Sequence, residues 1–319
     1  MTLRAGGPKA RASRMVQTRG RMDAMAPYLR YDAAADASAA LVIRCYSSSF
    51  GLATRMLGGQ VRQDVRNIYA LVRIADEVVD APRPGQDGVD RLVELDKLEQ
   101  DTFAAIDTGS SANLVVHAFA RTARRVGIDK ELVAPFFHSM RTDLQRTKHD
   151  FTSLGSYIYG SAEVIGLMCL CAFVAGEPNP SGRYAELAPG AQRLGAAFQK
   201  INFLRDFGDD SDGLGRQYLV GLQPDDLDEE IWGSWLDDIE MDLAAAAEVI
   251  PRLPRGSRVA VCTAHDLFAE LTRRLRATTA AQARLTRVRV PAPEKVRIAA
   301  RAALRRGRPH DIDTENSVK

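Results

Sequence analysis

Two aspartate pairs constrain this 319-residue chain more than any other feature: Asp76 and Asp80 in IADEVVD, and Asp206 and Asp210 in FLRDFGDD, about 130 residues later. Each pair is spaced four apart inside a helical pattern of apolar residues. Positions four apart share one helix face at a separation of about 6 Å, so each pair aims two carboxylates the same way. Polar neighbours extend both faces into stripes. Tyr69, Arg73, Asp76 and Asp80 form the first, and Gln199, Asn202, Asp206 and Asp210 form the second, with Arg205 beside it. A polar stripe on an otherwise apolar helix has no use against a dry core. Two long helices turning their stripes toward one cavity accommodate both, which predicts a helical bundle.

Four carboxylates in one cavity repel one another and are costly to desolvate. Divalent cations relieve that cost, and Mg2+ favours a few carboxylates, waters and substrate phosphates. Mg2+, or Mn2+ in its place, is therefore expected, held by Asp76, Asp80, Asn202, Asp206 and Asp210. Arg73 and Arg205 lie one turn or less from these acids and can hold phosphate oxygens in bidentate fashion. The spacing points to ionisation of a diphosphate ester.

Breakers and periodicity organise the rest as helix. Helices are predicted near 33–46, 50–57, 61–80, 88–107, 112–126, 130–147, 153–176, 184–208, 257–284 and 293–306, with Gly, Pro, Asp and Ser in the breaks. No strand alternation persists. With 45% hydrophobic residues the chain can bury a large core, and one all-α domain over 31–306 is expected, between a disordered basic segment 1–30 and a flexible tail 307–319. Trp232 and Trp235 read as packing anchors. No zinc spacing joins the four cysteines or the five histidines.

The net charge of +2 conceals basic ends. Residues 1–30 carry seven Lys or Arg against Asp23, and residues 284–308 carry nine against Glu294. Weak attraction to an anionic membrane surface is expected from them, and nucleic-acid binding is not. The N-terminus has no apolar signal core, and the run Val164–Gly176 is too short to span a bilayer. The expected location is cytoplasmic, peripheral at most on the inner face of the membrane.

CYSSSFGLATRML, NIYALVRIADEVVD, MRTDL, YIYGSAEVIG, AAFQKINFLRDFGDD and GRQYL occur in the order and spacing of bacterial, particularly actinobacterial, phytoene synthases. The chain resembles the squalene and phytoene synthase superfamily over about residues 38–300. The resemblance implies an all-α isoprenoid synthase bundle around an apolar cavity and head-to-head condensation of two isoprenyl diphosphates. It also implies site roles. Tyr157 faces the reacting carbons. Tyr46, Ser47, Ser48 and Ser49 meet diphosphate, although Ser49 alone could be an N-cap. Arg216 and Tyr218 belong to a flap over the diphosphate, and Arg287 matches a late phosphate-binding arginine. Tyr69, Gln199, Asn202 and Arg205 complete the diphosphate set. Phe268 stands where the family commonly has Tyr.

The expected reaction joins two geranylgeranyl diphosphates into phytoene through a cyclopropyl diphosphate, in carotenoid biosynthesis, with a phytoene desaturase downstream. Farnesyl diphosphate leading to squalene, dehydrosqualene or hydroxysqualene is the alternative, and a catalytically silent scaffold is the reading from another class. No nicotinamide cofactor is expected, and GLGR at 213–216 is no dinucleotide fingerprint. Tyr157 and released diphosphate both remain as the base. The small residues Gly160, Ala162 and Gly166 would admit either a substrate tail or a neighbouring helix.

Overall fold

A computed structural model describes residues 26–47, 49–209, 216–223, 226–305 and 308–309. Among them no strand occurs, and the chain folds as a single all-α unit, with only isolated bridges at Lys148 with Gln217 and Gln223 with Asp226. Helix α1 spans Pro27–Tyr46, α2 Ser49–Thr54, α3 Gly59–Asp80, α4 Gly88–Thr108, α5 Leu114–Val126 and α6 Lys130–Gln145. Helix α7 (Phe151–Ile158) passes through a π-helical turn, Tyr159–Glu163, into α8 (Val164–Val174). Then follow α9 (Pro180–Arg205), α10 (Glu229–Val249), α11 (Arg255–Arg276), α12 (Ala280–Leu285) and α13 (Ala292–Leu304).

Polar residues in the breaks start the helices. Asp87, Asp150 and Thr279 form reciprocal capping boxes, and the side chains of Asn113, Asp129, Asn179 and Asp228 accept first-turn N–H groups. Gly109 and Gly127 end α4 and α5 at φ of 85° and 80°, where a side chain would be strained.

Several boundaries differ from expectation. Helix α1 begins at Pro27, inside the stretch 1–30 read as disordered, because the ring fixes φ for a first helical turn; residues 1–25 lie outside the described residues, as does most of the tail. The segment 257–284 breaks after Arg276 and restarts on the Thr279 cap. Phe151–Val174 is one continuous run, long and apolar enough by composition to cross a membrane, longer than the Val164–Gly176 stretch suggested. Most of it is buried between the other helices.

Helix α9 is the central element, packed along α10 and α8, while α3 packs on α1, α5 and α8. One apolar cluster gathers α9, α10 and α11 around Ile201, Leu204, Trp235 and Ile239, and a second gathers α3, α5, α6 and α8 around Leu71, Phe119, Phe137 and Met168. Trp232 and Trp235 are buried packing anchors. The small residues serve helix contact. A Cβ on Gly160 would stand 2.2 Å from the Pro135 carbonyl oxygen, and one on Gly166 2.7 Å from that of Ala191. Gly195 meets the Ala162 carbonyl in the same way, at 2.7 Å. These glycines let α6 and α9 approach the π turn and α8 at backbone distance, leaving no room for a substrate tail between them.

Candidate active site

Asp76 and Asp80 occupy the C-terminal turn of α3. Arg73 and Tyr69, one and two turns earlier, are covered by the end of α1 and the start of α2. Tyr69 stacks on Phe50 with ring centres 5.5 Å apart, and the Arg73 guanidinium lies 4.6 Å over the Tyr46 ring. Ser47 accepts the Gly51 N–H at 3.3 Å, so it serves the start of α2 that Ser49 was expected to cap. Ser48 lies outside the described residues. Arg73 pairs with Glu77 and reaches Asp76 at 3.9 Å.

Across from α3, Arg216 donates to Asp80 at 2.7 Å. The two-residue bridge behind it is anchored by Gln217, whose N–H donates to Thr147 O at 2.7 Å. Tyr218 then donates to Asp143 Oδ1 at 2.8 Å, while Tyr157 donates to Oδ2 of the same carboxylate at 2.7 Å. The two phenols come from α7 and from the 216–218 segment, and Asp143 comes from α6. Three elements separated in sequence are thus tied at one carboxylate. The Tyr218 ring stacks on Phe203 of α9 at 4.5 Å and on His149 at 5.7 Å, and His149 also lies 5.0 Å from Tyr157.

Burial pushes the Asp76 carboxyl up to about 7, with repulsion from Asp80 adding to it, and pushes Asp143 up to about 6. Both side chains are half-buried. Burial also holds the Tyr157 and Tyr218 phenols above their ordinary range. In this structure the Tyr157 hydroxyl is engaged as a donor to Asp143.

The second acid stripe begins on α9, where Gln199 and Asn202 are half-buried without a side-chain hydrogen bond among the described residues. The helix ends at Arg205, and Asp206 is its C-cap rather than an interior residue, with its N–H bonded to Asn202 O at 2.8 Å. Arg205 Nε bonds Asp206 at 2.9 Å, and Arg287 Nε bonds the same carboxylate at 2.7 Å. Arg287, far along the chain, is thus brought to the second acid stripe. Asp210 lies outside the described residues. Among the described residues no three acids, imidazoles or thiols converge as a metal-ligand set. Phe268 stacks on Phe198 at 3.8 Å, so this position supplies packing and no phenol.

The donor chemistry suits Mg2+. A carboxylate as costly to ionise as Asp76 gains from a cation, and Asp80 and Asp206 are meanwhile neutralised by Arg216, Arg205 and Arg287. Asp143 is the residue that sequence reading passed over. Its signal was present in MRTDL: an acid at the i+7 position of the buried stripe Phe136, Met140, Asp143. His149 borders the site beside Tyr157 and Tyr218, and its Nδ1 is buried without a hydrogen-bond partner among the described residues.

Known proteins resemble this chain in sequence and in fold. The squalene/phytoene synthase family model matches residues 43–294. Phytoene synthase 3 of maize is 29% identical over 227 residues, 68% of this chain and 51% of the relative. The phytoene synthase of Arthrospira platensis is 30% identical over 181 residues, 54% of this chain and 57% of its own length. The chain spans about half the length of these relatives. Among solved structures, a dehydrosqualene synthase in complex with ligand superposes with a TM-score of 0.72 at 21% identity, covering 88% of this chain and 99% of that one. The squalene synthase HpnC from Alicyclobacillus acidocaldarius gives 0.61 at 18% identity, covering 91% and 99%. At these identities the structural likeness establishes the fold, while the family match covers most of the sequence: the chain belongs to the squalene/phytoene synthase family.

Proposed function

We propose that this protein condenses two geranylgeranyl diphosphates head to head into phytoene, in carotenoid biosynthesis. The observation that carries the reading is the alternation of acids and guanidinium groups: Arg216 on Asp80, and Arg205 and Arg287 on Asp206. Each such pair can separate when a diphosphate with its counter-cations enters, the acids turning to metal and the arginines to phosphate oxygens. The longer substrate is favoured by the phytoene synthases among the curated relatives.

Asp76, Asp80 and Asp206, with Asn202 and Asp210, would hold Mg2+, or Mn2+ in its place, which supplies charge neutralisation for the departing diphosphate. Arg73, Arg205, Arg216 and Arg287 would retain the leaving group. Cleavage of the first C–O bond leaves an allylic cation, and the second substrate's double bond attacks it. Loss of a proton closes the cyclopropyl ring. A second ionisation, rearrangement and proton loss complete the hydrocarbon. With the Tyr157 hydroxyl turned to Asp143, oxygens of the released diphosphate are the acceptor we favour. The phenols of Tyr157 and Tyr218, held by Asp143, would present fixed dipoles beside the reacting carbons. Water must be kept from both cations.

Purified protein incubated with Mg2+ and either geranylgeranyl or farnesyl diphosphate tests this. Phytoene from the former is expected, with no turnover in excess EDTA. Squalene-type products from the latter alone would move the substrate to the shorter chain. No hydrocarbon from either, with metal present, would favour the scaffold reading.

A further inference from the structure

Helix α13 presents three sectors. Ile298, Ala299 and Ala302 are buried against the body of the protein. The outward sector carries Pro293, Val296, Ala300, Ala303 and Leu304, all exposed and none charged. Arg297 and Arg301 border that sector on one side. A surface helix usually carries charge across the face opposite its buried side, whereas here much of that face is apolar. Val296 is 62% exposed and Leu304 84%, and Leu285, at the end of the preceding helix α12, is 85% exposed.

The same stretch of chain is rich in cations. From 284 to 308 the chain holds nine Lys or Arg against Glu294 alone. Arg297 pairs with Glu294, Arg305 with Asp266 and Arg287 with Asp206. Arg289 and Arg301 are exposed and carry no ion pair among the described residues. The region also adjoins the candidate site. Arg287 reaches Asp206 at 2.7 Å, and Lys295 lies close enough to Arg205 and Arg289 to be affected by their charge.

From this we infer that the outward face of α13, with Leu285 and the exposed arginines 289 and 301, docks on an anionic lipid bilayer. Apolar side chains flanked by arginine match the boundary between acyl chains and acidic headgroups. A folded partner of ordinary charge would leave the unpaired arginines without counter-charge. Attachment here sets the rim beside Asp206 at the membrane, the compartment in which long isoprenoid chains dissolve. The docking does not depend on which diphosphate is the substrate, so it can fail or hold separately from the proposed reaction.

The full chain is tested by co-sedimentation with phosphatidylcholine vesicles, with and without phosphatidylglycerol, at low and high salt, with no substrate present. Binding to the anionic vesicles should exceed binding to neutral ones at least tenfold and decline with salt. Arg289→Glu with Arg301→Glu should cut it tenfold or more, and so should Val296→Asp with Leu304→Asp. All four positions are exposed, and circular dichroism verifies that the variants keep their helices. A chain lacking residues 1–25 should still respond to both double variants. Equal binding to the two vesicle types would overturn the inference, as would wild-type binding by both double variants. So would a dimer in light scattering that Val296→Asp with Leu304→Asp dissociates without changing vesicle binding, since a second copy would then cover the face.

Discussion

At the scale of single residues, Asp76 and Asp143 have consequences that differ in kind. With its carboxyl raised to about 7, Asp76 binds its proton more tightly in the folded chain than in the unfolded one. Without metal, its contribution is fully present below about pH 4, the usual carboxylate value, and is lost as pH climbs through 7. The loss is at most about 4 kcal/mol, at roughly 1.4 kcal/mol per pH unit. Asp76→Asn cannot ionise, so thermal unfolding in EDTA should fall less between pH 4.5 and 7.5 for this variant than for wild type, while its turnover with Mg2+ drops at least a hundredfold. Identical pH slopes would show that Asp76 is not the group responsible. Asp143, by contrast, serves two buried phenols. Asp143→Leu strands both donors and should cost about 2–4 kcal/mol in urea unfolding; Asp143→Asn keeps one acceptor and should cost less. Equal stability of all three proteins would mean that the phenols find other partners.

At the scale of elements, the joint between α7 and α8 is built from backbone contact. Gly160 faces the Pro135 carbonyl and the Ser139 hydroxyl, at 2.2 and 2.3 Å from where a Cβ would stand. Gly160→Ala should therefore destabilise by about 2 kcal/mol or more, because backbone on α6 has to shift. Gly58→Ala is the matched control, since nothing lies within 4 Å of its missing Cβ. Enlarging Gly166 should act in the same manner, lowering stability without distinguishing between geranylgeranyl and farnesyl chains. Denaturant midpoints of the purified variants measure all three. A Gly166→Leu protein of wild-type stability that rejected only the longer substrate would return this helix to the tail pocket.

At the scale of the whole molecule, α9 and α10 are clasped by Asp242, 1% exposed, which accepts from Lys200 at 2.7 Å and from Arg193 at 2.9 Å. Asp242→Ala leaves the buried Lys200 with Asp238 alone and should cost about 3 kcal/mol, read as an earlier urea midpoint; an unchanged midpoint would assign the clasp no weight. Much of this architecture was legible in sequence, because helical periodicity and capping residues are local. The first acid stripe lay where its spacing put it. Asp206 did not continue a helix, since α9 stops at Arg205 and Arg287 arrives from far along the chain to bind the C-cap carboxylate. The knot of Asp143, Tyr157 and Tyr218 was equally hidden, as its members come from three segments and only tertiary packing brings them together. The π turn at Tyr159–Glu163 was invisible for the opposite reason: it differs from an α-helix by one residue of winding. That residue sets the phase between the two halves of the rod. Tyr157 before it points at Asp143 while Gly166 after it faces Ala191, and each residue of helix is worth about 100° of rotation. The chain therefore cannot be shortened by one residue here and keep both contacts, so length in this segment is as much a determinant of the site as the identity of any side chain within it.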